Sequence, residues 1–344
     1  MDRALELARN GDNRTQTNPR VGAVIVYNNR ILGEGWHKEF GQEHAEIQAL
    51  NDIKAEDRHL VPKSTIYVTL EPCSFIGKSP SCAHRILKEN FHRVVVGAID
   101  PNPKVNGRGC RILKEAGIVV REGVRKNECE RLLIPFSTQQ VLKRPYIHLK
   151  WAQSYDGFLS KVGERTPISH SYLKFVTHQI RGQCQGLLVG TDTLIVDNPR
   201  LDNRFSCGDS PVKIILDRKG RIPLKNWSFL LSKGPTLGMG PENHPLRSYF
   251  DQFVVINREG GLKEILNTLF DLGVGTLMVE GGAKLLSSFI SEEMWDKATI
   301  IKSPNSIKNG IQAPFLTGHL IKDAIIYNHS VLEMVSDRLR PYFN

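Results

Sequence analysis

The chain has 344 residues, 40% hydrophobic and 24% charged and without biased tracts, which suits about two domains of ordinary globular composition and argues against disorder. The longest apolar runs, such as VGAVIVY from Val21, are far too short to cross a bilayer. The net charge of +10 is spread along the chain as single and paired Lys and Arg, which reads as a solvated surface or a site for a phosphorylated ligand before it reads as a nucleic-acid patch.

The start, MDRALELARNGDN, sets Ala4, Leu5 and Ala8 on one helical stripe among charges and lacks the apolar segment of a signal peptide. A cytoplasmic location is therefore expected, and a reducing compartment argues against structural disulfides. RVGAVIVYNN and RILGEGWHKE read as a hairpin closed by NNR, and HAEIQALNDI as a helix through Ala45, Ala49 and Ile53. A strand STIYVTL, a helix SCAHRILKEN, a strand HRVVVGAID, a helix GRGCRILKEAG and a strand IVVREG follow. This alternation predicts an α/β layer with a mostly parallel sheet. A second series begins near LKRP at 142–145, with strands at GLLVGT, PVKIILD, QFVVIN and TLMVEGG and helices at SYLKFVTHQIRG and LKEILNTLFDLG. The expected division is residues 1–143 and 144–344.

EPCSFIGKSPSC, residues 71–82, holds Cys73 and Cys82 farther apart than the two to four residues common in zinc knuckles. Upstream stands HAE: His44, Ala45, Glu46. One imidazole and two thiolates supply three zinc ligands and leave a fourth position for a water whose pKa falls toward neutrality. Glu46, two residues from His44, can face that position and shuttle protons to a leaving amine. Cys73 follows a strand and a proline, at a junction whose free N–H groups favour a thiolate. The bland alternative, small buried thiols, suits Cys110, Cys129, Cys184 and Cys207 better than this composite pattern. DPNPK from Asp100 is either a surface turn or a polar ligand-binding loop at a strand end.

His-x-Glu followed by Pro-Cys and a second Cys resembles the zinc-dependent base deaminases. The wide loop between the cysteines, with NPRVGAVIV, GEGWHKEFGQEHAE, TLEPCSFIGKSPSC and AIDPNPKVNGRG, resembles the deaminase of riboflavin biosynthesis over most of residues 1–125. The resemblance implies a cytidine-deaminase-like three-layer α/β/α domain. Zinc, one ion per chain, would sit on His44, Cys73 and Cys82, with Glu46 as proton shuttle. Asn18, His37, Lys78, Asp100 and Asn102 would hold the ring and phosphoribosyl group of the substrate.

In the second half, VEGGAKLLSSF puts Gly281 and Gly282 where a strand turns into a helix, and GTDTLIVDNPRLDNR from Gly190 follows a strand with a polar loop. Together with LKWAQSYDG they resemble the reductase domain of the same bifunctional family over about residues 145–315. That implies a dihydrofolate-reductase-like α/β fold using NADPH. By position, Ala152, Thr193, Asp197 and the run Gly282, Ala283, Lys284, Leu285, Leu286, Ser287 and Ser288 would touch the cofactor. Lys150, Arg181, Leu201, Arg204 and Glu280 would face the substrate, and the two guanidinium groups suit a phosphate. The chain departs from the family at Arg165 and Pro167, where many members have Ser and Trp, and at Gln185-Gly186, where an Ala-Asp pair is common.

The resemblance thus implies zinc-dependent hydrolytic deamination of 2,5-diamino-6-(5-phosphoribosylamino)pyrimidin-4-one, then NADPH-dependent reduction of the ribosyl chain to ribityl. The partners expected are a phosphorylated pyrimidine and a second copy of the chain, as dimer or tetramer, with no nucleic acid and no membrane. Two rivals stay open at this point: a nucleic-acid base deaminase, and a deaminase carrying a catalytically silent C-terminal domain.

Overall fold

The computed structural model describes residues 1–74, 81–103 and 105–343. The chain forms two compact units, Met1–Lys143 and Arg144–Asn344.

The first unit runs α1 (Asp2–Arg9), β1 (Gly22–Tyr27), β2 (Arg30–Trp36), α2 (Ala45–Asn51), β3 (Thr65–Leu70), α3 (Cys82–Lys88), β4 (Arg93–Ala98), α4 (Arg108–Glu115), β5 (Val119–Arg121) and α5 (Lys126–Leu142). Its five strands lie in the order β2-β1-β3-β4-β5. The expectation of a mostly parallel sheet holds for β3, β4 and β5 but fails for the other half. There β1 is antiparallel to both neighbours, β2 and β3. The cause at the edge is the hairpin itself: Asn28 and Asn29 take φ of 46° and 61°, the left-handed pair that a tight turn between antiparallel strands requires.

Alternation along the strands sends side chains to two helical layers. Val24 packs with Ala4 and Leu7 of α1, while Ala23 and Ile25 join the core that holds Ala45 and Ala49 of α2. Gly33 and Gly35 let α2 lie directly on β2: a Cβ would stand 2.3 Å from the Ala49 carbonyl oxygen at the first and 2.6 Å from the Ala49 nitrogen at the second. That close approach fixes the helix whose first turn carries His44 and Glu46.

The second unit runs β6 (Tyr146–Gln153), β7 (Phe158–Ser160), α6 (Lys174–Arg181), β8 (Gly186–Gly190), α7 (Thr191–Asp197), β9 (Val212–Leu216), α8 (Ser228–Leu231), β10 (Thr236–Gly240), β11 (Gln252–Val255), α9 (Leu262–Asp271), β12 (Thr276–Glu280), α10 (Ala283–Ser291), β13 (Lys297–Lys302), β14 (Ile311–Gln312), β15 (His319–Ile326) and β16 (His329–Val335). A nine-stranded sheet has the order β11-β10-β9-β8-β12-β6-β13-β16-β15, parallel from β11 through β13 and antiparallel beyond. Leu277 and Val279 of β12 face a core with Leu266 of α9 and Phe289 of α10, and Met278 faces the opposite core with Ile180, Leu194 and Phe229. The hairpin β15–β16 turns through Tyr327 and Asn328, with φ of 48° and 60°. Among the described residues no helix is long and apolar enough to cross a membrane.

Gly35→Ala is expected to lower the stability of the first unit by about 1–3 kcal/mol, because the added methyl meets helix backbone that cannot rotate away. Urea unfolding followed by circular dichroism checks it; an unchanged midpoint would mean that α2 can shift without cost.

Candidate active sites

In the first unit three chain segments converge. His44 is the N-cap of α2, and Cys82 is the first residue of α3, which Ser81 caps by accepting from the His84 N–H. Cys73 follows Glu71 and Pro72 beyond the end of β3, and the Cys82 backbone N–H donates to its sulfur at 3.2 Å. His44 Nδ1 lies 3.2 Å from Cys82 Sγ and 3.7 Å from Cys73 Sγ, and the three potential ligand atoms fall within 4.8 Å of one another. Both cysteines are free thiols, so the disulfide alternative is out. Hydrogen bonding, first from the Cys82 thiol and then from His44, pulls Cys73 down to about 4, against its burial. Its partner Cys82 is pushed up by the same shared proton and by burial, and the hydrogen bond to Cys73 raises His44 to about 9. A thiolate, a thiol and an imidazolium in one place form a donor set that sheds protons when a soft or borderline divalent cation binds. The donors therefore fit zinc. Glu46 lies one step inward, 4% exposed, hydrogen-bonded to Cys82, with its carboxyl raised chiefly by burial.

Asn18 and His37 stand beside this cluster. Asn18 Nδ2 donates to His37 Nε2 at 3.1 Å, so the ring proton sits on Nδ1 and is donated to the Glu43 carbonyl at 3.1 Å. Burial keeps His37 neutral, and its ring meets His44 edge-on at 5.8 Å. Asp100 and Asn102 lie on the loop after β4, where Asp100 Oδ1 accepts from the Asn102 N–H at 2.8 Å. Burial first, then the charges of Glu71 and Cys73, raise the Asp100 carboxyl to about 6. Lys78 lies outside the described residues.

In this unit the sequence reading passed over Glu71. Glu71, 3% exposed, accepts backbone N–H bonds from Asp100 at 3.1 Å, Gly107 at 2.8 Å and Gly109 at 2.8 Å. It pins the polar loop to the Pro-Cys segment that carries the thiolate. Its signal was the acidic residue directly before Pro72, at a strand end where a charge must find donors.

The second unit holds a cavity of about 750 Å³. Lys150 and Ala152 of β6, Arg181 of α6, Thr193 and Asp197 of α7, Leu201, Arg204, Glu280 and Gly282 all line it, as do Arg165 and Pro167. Arg181 grips Glu280 with Nη2 at 2.6 Å and Nε at 3.0 Å, and its Nη1 donates to the Asp202 carbonyl at 2.8 Å. Arg181 and Lys150 draw the Glu280 carboxyl down although burial works against them, while Lys150 is lowered by burial. Arg204 pairs with Asp202. Leu201, 2% exposed, holds a left-handed backbone at φ 58°, a strained conformation of the kind found at ligand sites.

Gly282 caps α10, so the N–H groups of Ala283, Lys284 and Leu285 have no partner within the helix, whereas Leu286 already donates to the Gly282 carbonyl at 3.3 Å. The stretch 283–288 does not line the cavity with side chains. Leu286 is in the core, Leu285 packs against it, and the Lys284 side chain is 94% exposed. The Ser288 hydroxyl donates to the Lys284 carbonyl at 3.0 Å. The Lys284 ammonium stands 3.8 Å from Asp192, which lines the cavity. His170, Ser171, Lys174 and Asp192 also line the cavity and went unread in the sequence.

Residues 1–98 match the family model of the cytidine and deoxycytidylate deaminase zinc-binding region, and residues 145–315 match that of the RibD C-terminal domain. The riboflavin biosynthesis protein RibD of Aquifex aeolicus is 35% identical, with 100% of this chain and 97% of that one aligned. RibD of Bacillus amyloliquefaciens is 34% identical over 92% of this chain and 86% of its own. Among solved structures, a diaminohydroxyphosphoribosylaminopyrimidine deaminase/5-amino-6-(5-phosphoribosylamino)uracil reductase from Thermotoga maritima superposes with a TM-score of 0.90 at 31% identity, covering 98% of this chain and 97% of that one. Acinetobacter baumannii RibD gives 0.86 at 31% identity, covering 97% of each chain.

Glu71→Ala strands three backbone donors, each costing about 1–3 kcal/mol where water cannot replace the carboxylate. A lowered urea midpoint with zinc content retained is the expected result; loss of zinc with unchanged stability would place Glu71 among the ligands instead.

Proposed function

The chain belongs to the RibD family, the bifunctional deaminase and reductase enzymes of riboflavin biosynthesis, and from that premise we propose how its residues divide the two reactions. The convergence of His44, Cys73 and Cys82 beside a buried carboxylic acid carries the first half of this reading.

His44, Cys73 and Cys82 would hold one zinc ion, which when bound supplies Lewis-acid activation of water. Glu46 accepts a proton from the attacking water on its carboxylate and returns it to the departing amine nitrogen. The C2–N bond of the diaminopyrimidine breaks, a carbonyl forms at C2, and ammonia leaves. Burial raises the Glu46 carboxyl above the usual carboxylate range, the direction that favours its holding a proton between the two halves of that transfer. Asn18, with its partner His37, and Asp100 and Asn102 would hold the ring and the phosphoribosyl group. Lys78 stays a candidate phosphate contact on the strength of its place in the family loop.

In the second unit NADPH is the hydride donor this reading assigns, on family grounds. Thr193, Asp197, Ala152 and the cap of α10 at Gly282 would receive it, with the free N–H groups of Ala283, Lys284 and Leu285 facing its phosphates. Lys150, Arg181, Leu201, Arg204 and Glu280 would hold the phosphorylated substrate, so that the nicotinamide meets the ribosyl carbon in its open-chain form. Glu280 fixes the Arg181 guanidinium in one orientation, which spares the side-chain ordering that phosphate binding would otherwise require.

Glu46→Gln is expected to keep zinc and to lose ammonia release by about 10²–10⁴-fold. Metal analysis beside an ammonia assay on the diaminopyrimidine phosphate tests it, and normal deamination by the variant would remove Glu46 from the proton transfer. Zinc removal by a chelator is expected to stop ammonia release while NADPH absorbance still falls on 5-amino-6-(5-phosphoribosylamino)uracil. A chain that released ammonia but never consumed NADPH would have a silent second unit.

A further inference from the structure

Residues 316–344 lie beyond the stretch that matches the reductase family model, yet the turn of the β15–β16 hairpin reaches the cavity wall. Ile168, Ser169, His170, Ser171 and Lys174 line the cavity from the segment that leads into α6. A chain of hydrogen bonds runs from the turn into that segment. His329, 6% exposed, donates from Nδ1 to the Tyr327 carbonyl at 2.7 Å. Its Nε2 accepts from the His170 backbone N–H at 3.2 Å, and His170 Nδ1 accepts in turn from the Tyr172 N–H at 3.4 Å.

Rings reinforce the bonds. Tyr327 lies 4.9 Å from His170 at 12° and 4.9 Å from Tyr172 at 15°, with His170 and Tyr172 themselves 5.4 Å apart. Beneath them Leu173, fully buried, joins Ile301 of β13 and Val331 of β16 in a small separate core that Val176 and Ile326 flank. The entry to α6 is therefore bound to the hairpin by hydrogen bonds, by near-parallel rings and by apolar contact.

We infer that this turn is a positioning clamp on the cavity, with Tyr327 and His329 as positioning residues whose object is Lys174; the inference rests on the reading of the cavity as the reductase site. Lys174, His178 and Arg181 stand at i, i+4 and i+7 of α6, on one helix face, and all three line the cavity. The Lys174 ammonium sits 4.4 Å from the Phe205 ring centroid, and the Arg204 guanidinium 4.8 Å from the same centroid. Among the described residues no carboxylate lies within ion-pair distance of Lys174, so its charge is available to an anionic ligand beside Arg204. Loosening the entry to α6 displaces Lys174 relative to Arg181 and Arg204, and with it the cationic rim that would receive a phosphate. The cofactor groups of this reading on α7 and α10 make none of these contacts, and Ala152 of β6 meets the clamp only through the Leu173 core.

The test compares Tyr327→Ala with Tyr327→Phe in the full chain. The alanine variant is expected to raise KM for 5-amino-6-(5-phosphoribosylamino)uracil about tenfold, with kcat and the KM for NADPH within about twofold and ammonia release unchanged. Phenylalanine, which keeps the ring, is expected to restore KM to within about twofold of the parent. Hydrogen exchange over residues 168–176 is expected to quicken in the alanine variant alone. Unchanged KM and unchanged exchange in the alanine variant would overturn the clamp, as would an equal rise in both KM values with a lower melting temperature, which is general loosening. If the parent chain consumed no NADPH, the reductase reading would fall while the exchange comparison still decided the clamp.

Discussion

A carboxylate removed from water must find donors, and each unit of this chain places one at the C-terminal end of the central strand of its sheet. Glu71 comes directly after β3, and Glu280 is the last residue of β12. Neither can be left unpaired at acceptable cost. Glu71 recruits three backbone N–H groups from the loop after β4 and the first turn of α4, and Glu280 recruits the Arg181 guanidinium from α6. In both cases the demand for satisfaction draws a distant segment to the strand end, where ligands of α/β folds bind. The polar loop reaches the thiolate segment because Glu71 holds it there. Arg181 is held at the cavity wall by Glu280 and the Asp202 carbonyl.

This explains what could and could not be read in advance. His44, Glu46, Cys73 and Cys82 were legible because ligand chemistry demands particular side chains, and few sequences place all of them at strand-to-helix junctions. Their geometry bears out the wide spacing as well: Cys82 opens α3, and its N–H turns back onto Cys73 at 3.2 Å. Glu71 was in view between Leu70 and Pro72 but carried no motif, since its role is a count of acceptors that exists only once the loop has folded. The antiparallel pairing of β1 with β3 was missed because β-strand composition does not encode direction. The strands after α10 were missed as well. In β15 exposed positions interrupt the apolar pattern, so that HLIKDAII offers no clean alternation to read.

Positive charge gathers along the cavity wall, and part of it is paired. Arg181 is answered by Glu280, and Arg200 and Arg204 share Asp202, so much of the cationic lining of the cavity is neutralised by carboxylates that also orient it. Pairing of this kind fixes direction more than it adds attraction, because a guanidinium with one edge occupied still offers the other to a phosphate. Basic and aromatic groups meet around Phe205, where Lys174 and Arg204 lie 4.4 and 4.8 Å from the ring centroid and Lys174 also stands 5.8 Å from that of Phe175.

The departures from the family pattern divide in the same physical way. Gln185 replaces a small residue at the start of β8, away from the cavity. Its Oε1 accepts from the N–H groups of Gly275 and Thr276 at 2.6 and 3.0 Å, and its Nε2 donates to the Gly273 carbonyl at 3.1 Å. That amide stitches β8 to the turn before β12. Arg165 and Pro167 are different, because both line the cavity. Burial pushes the Asp197 carboxyl up, and the Arg165 charge pulls it back toward ionisation. A serine there would supply a hydroxyl and no charge; the arginine supplies a charge that acts on Asp197 of α7. The exchange therefore alters how the cavity is balanced electrostatically without dismantling either the cap of α10 or the Arg181–Glu280 pair. Both of those features are in place.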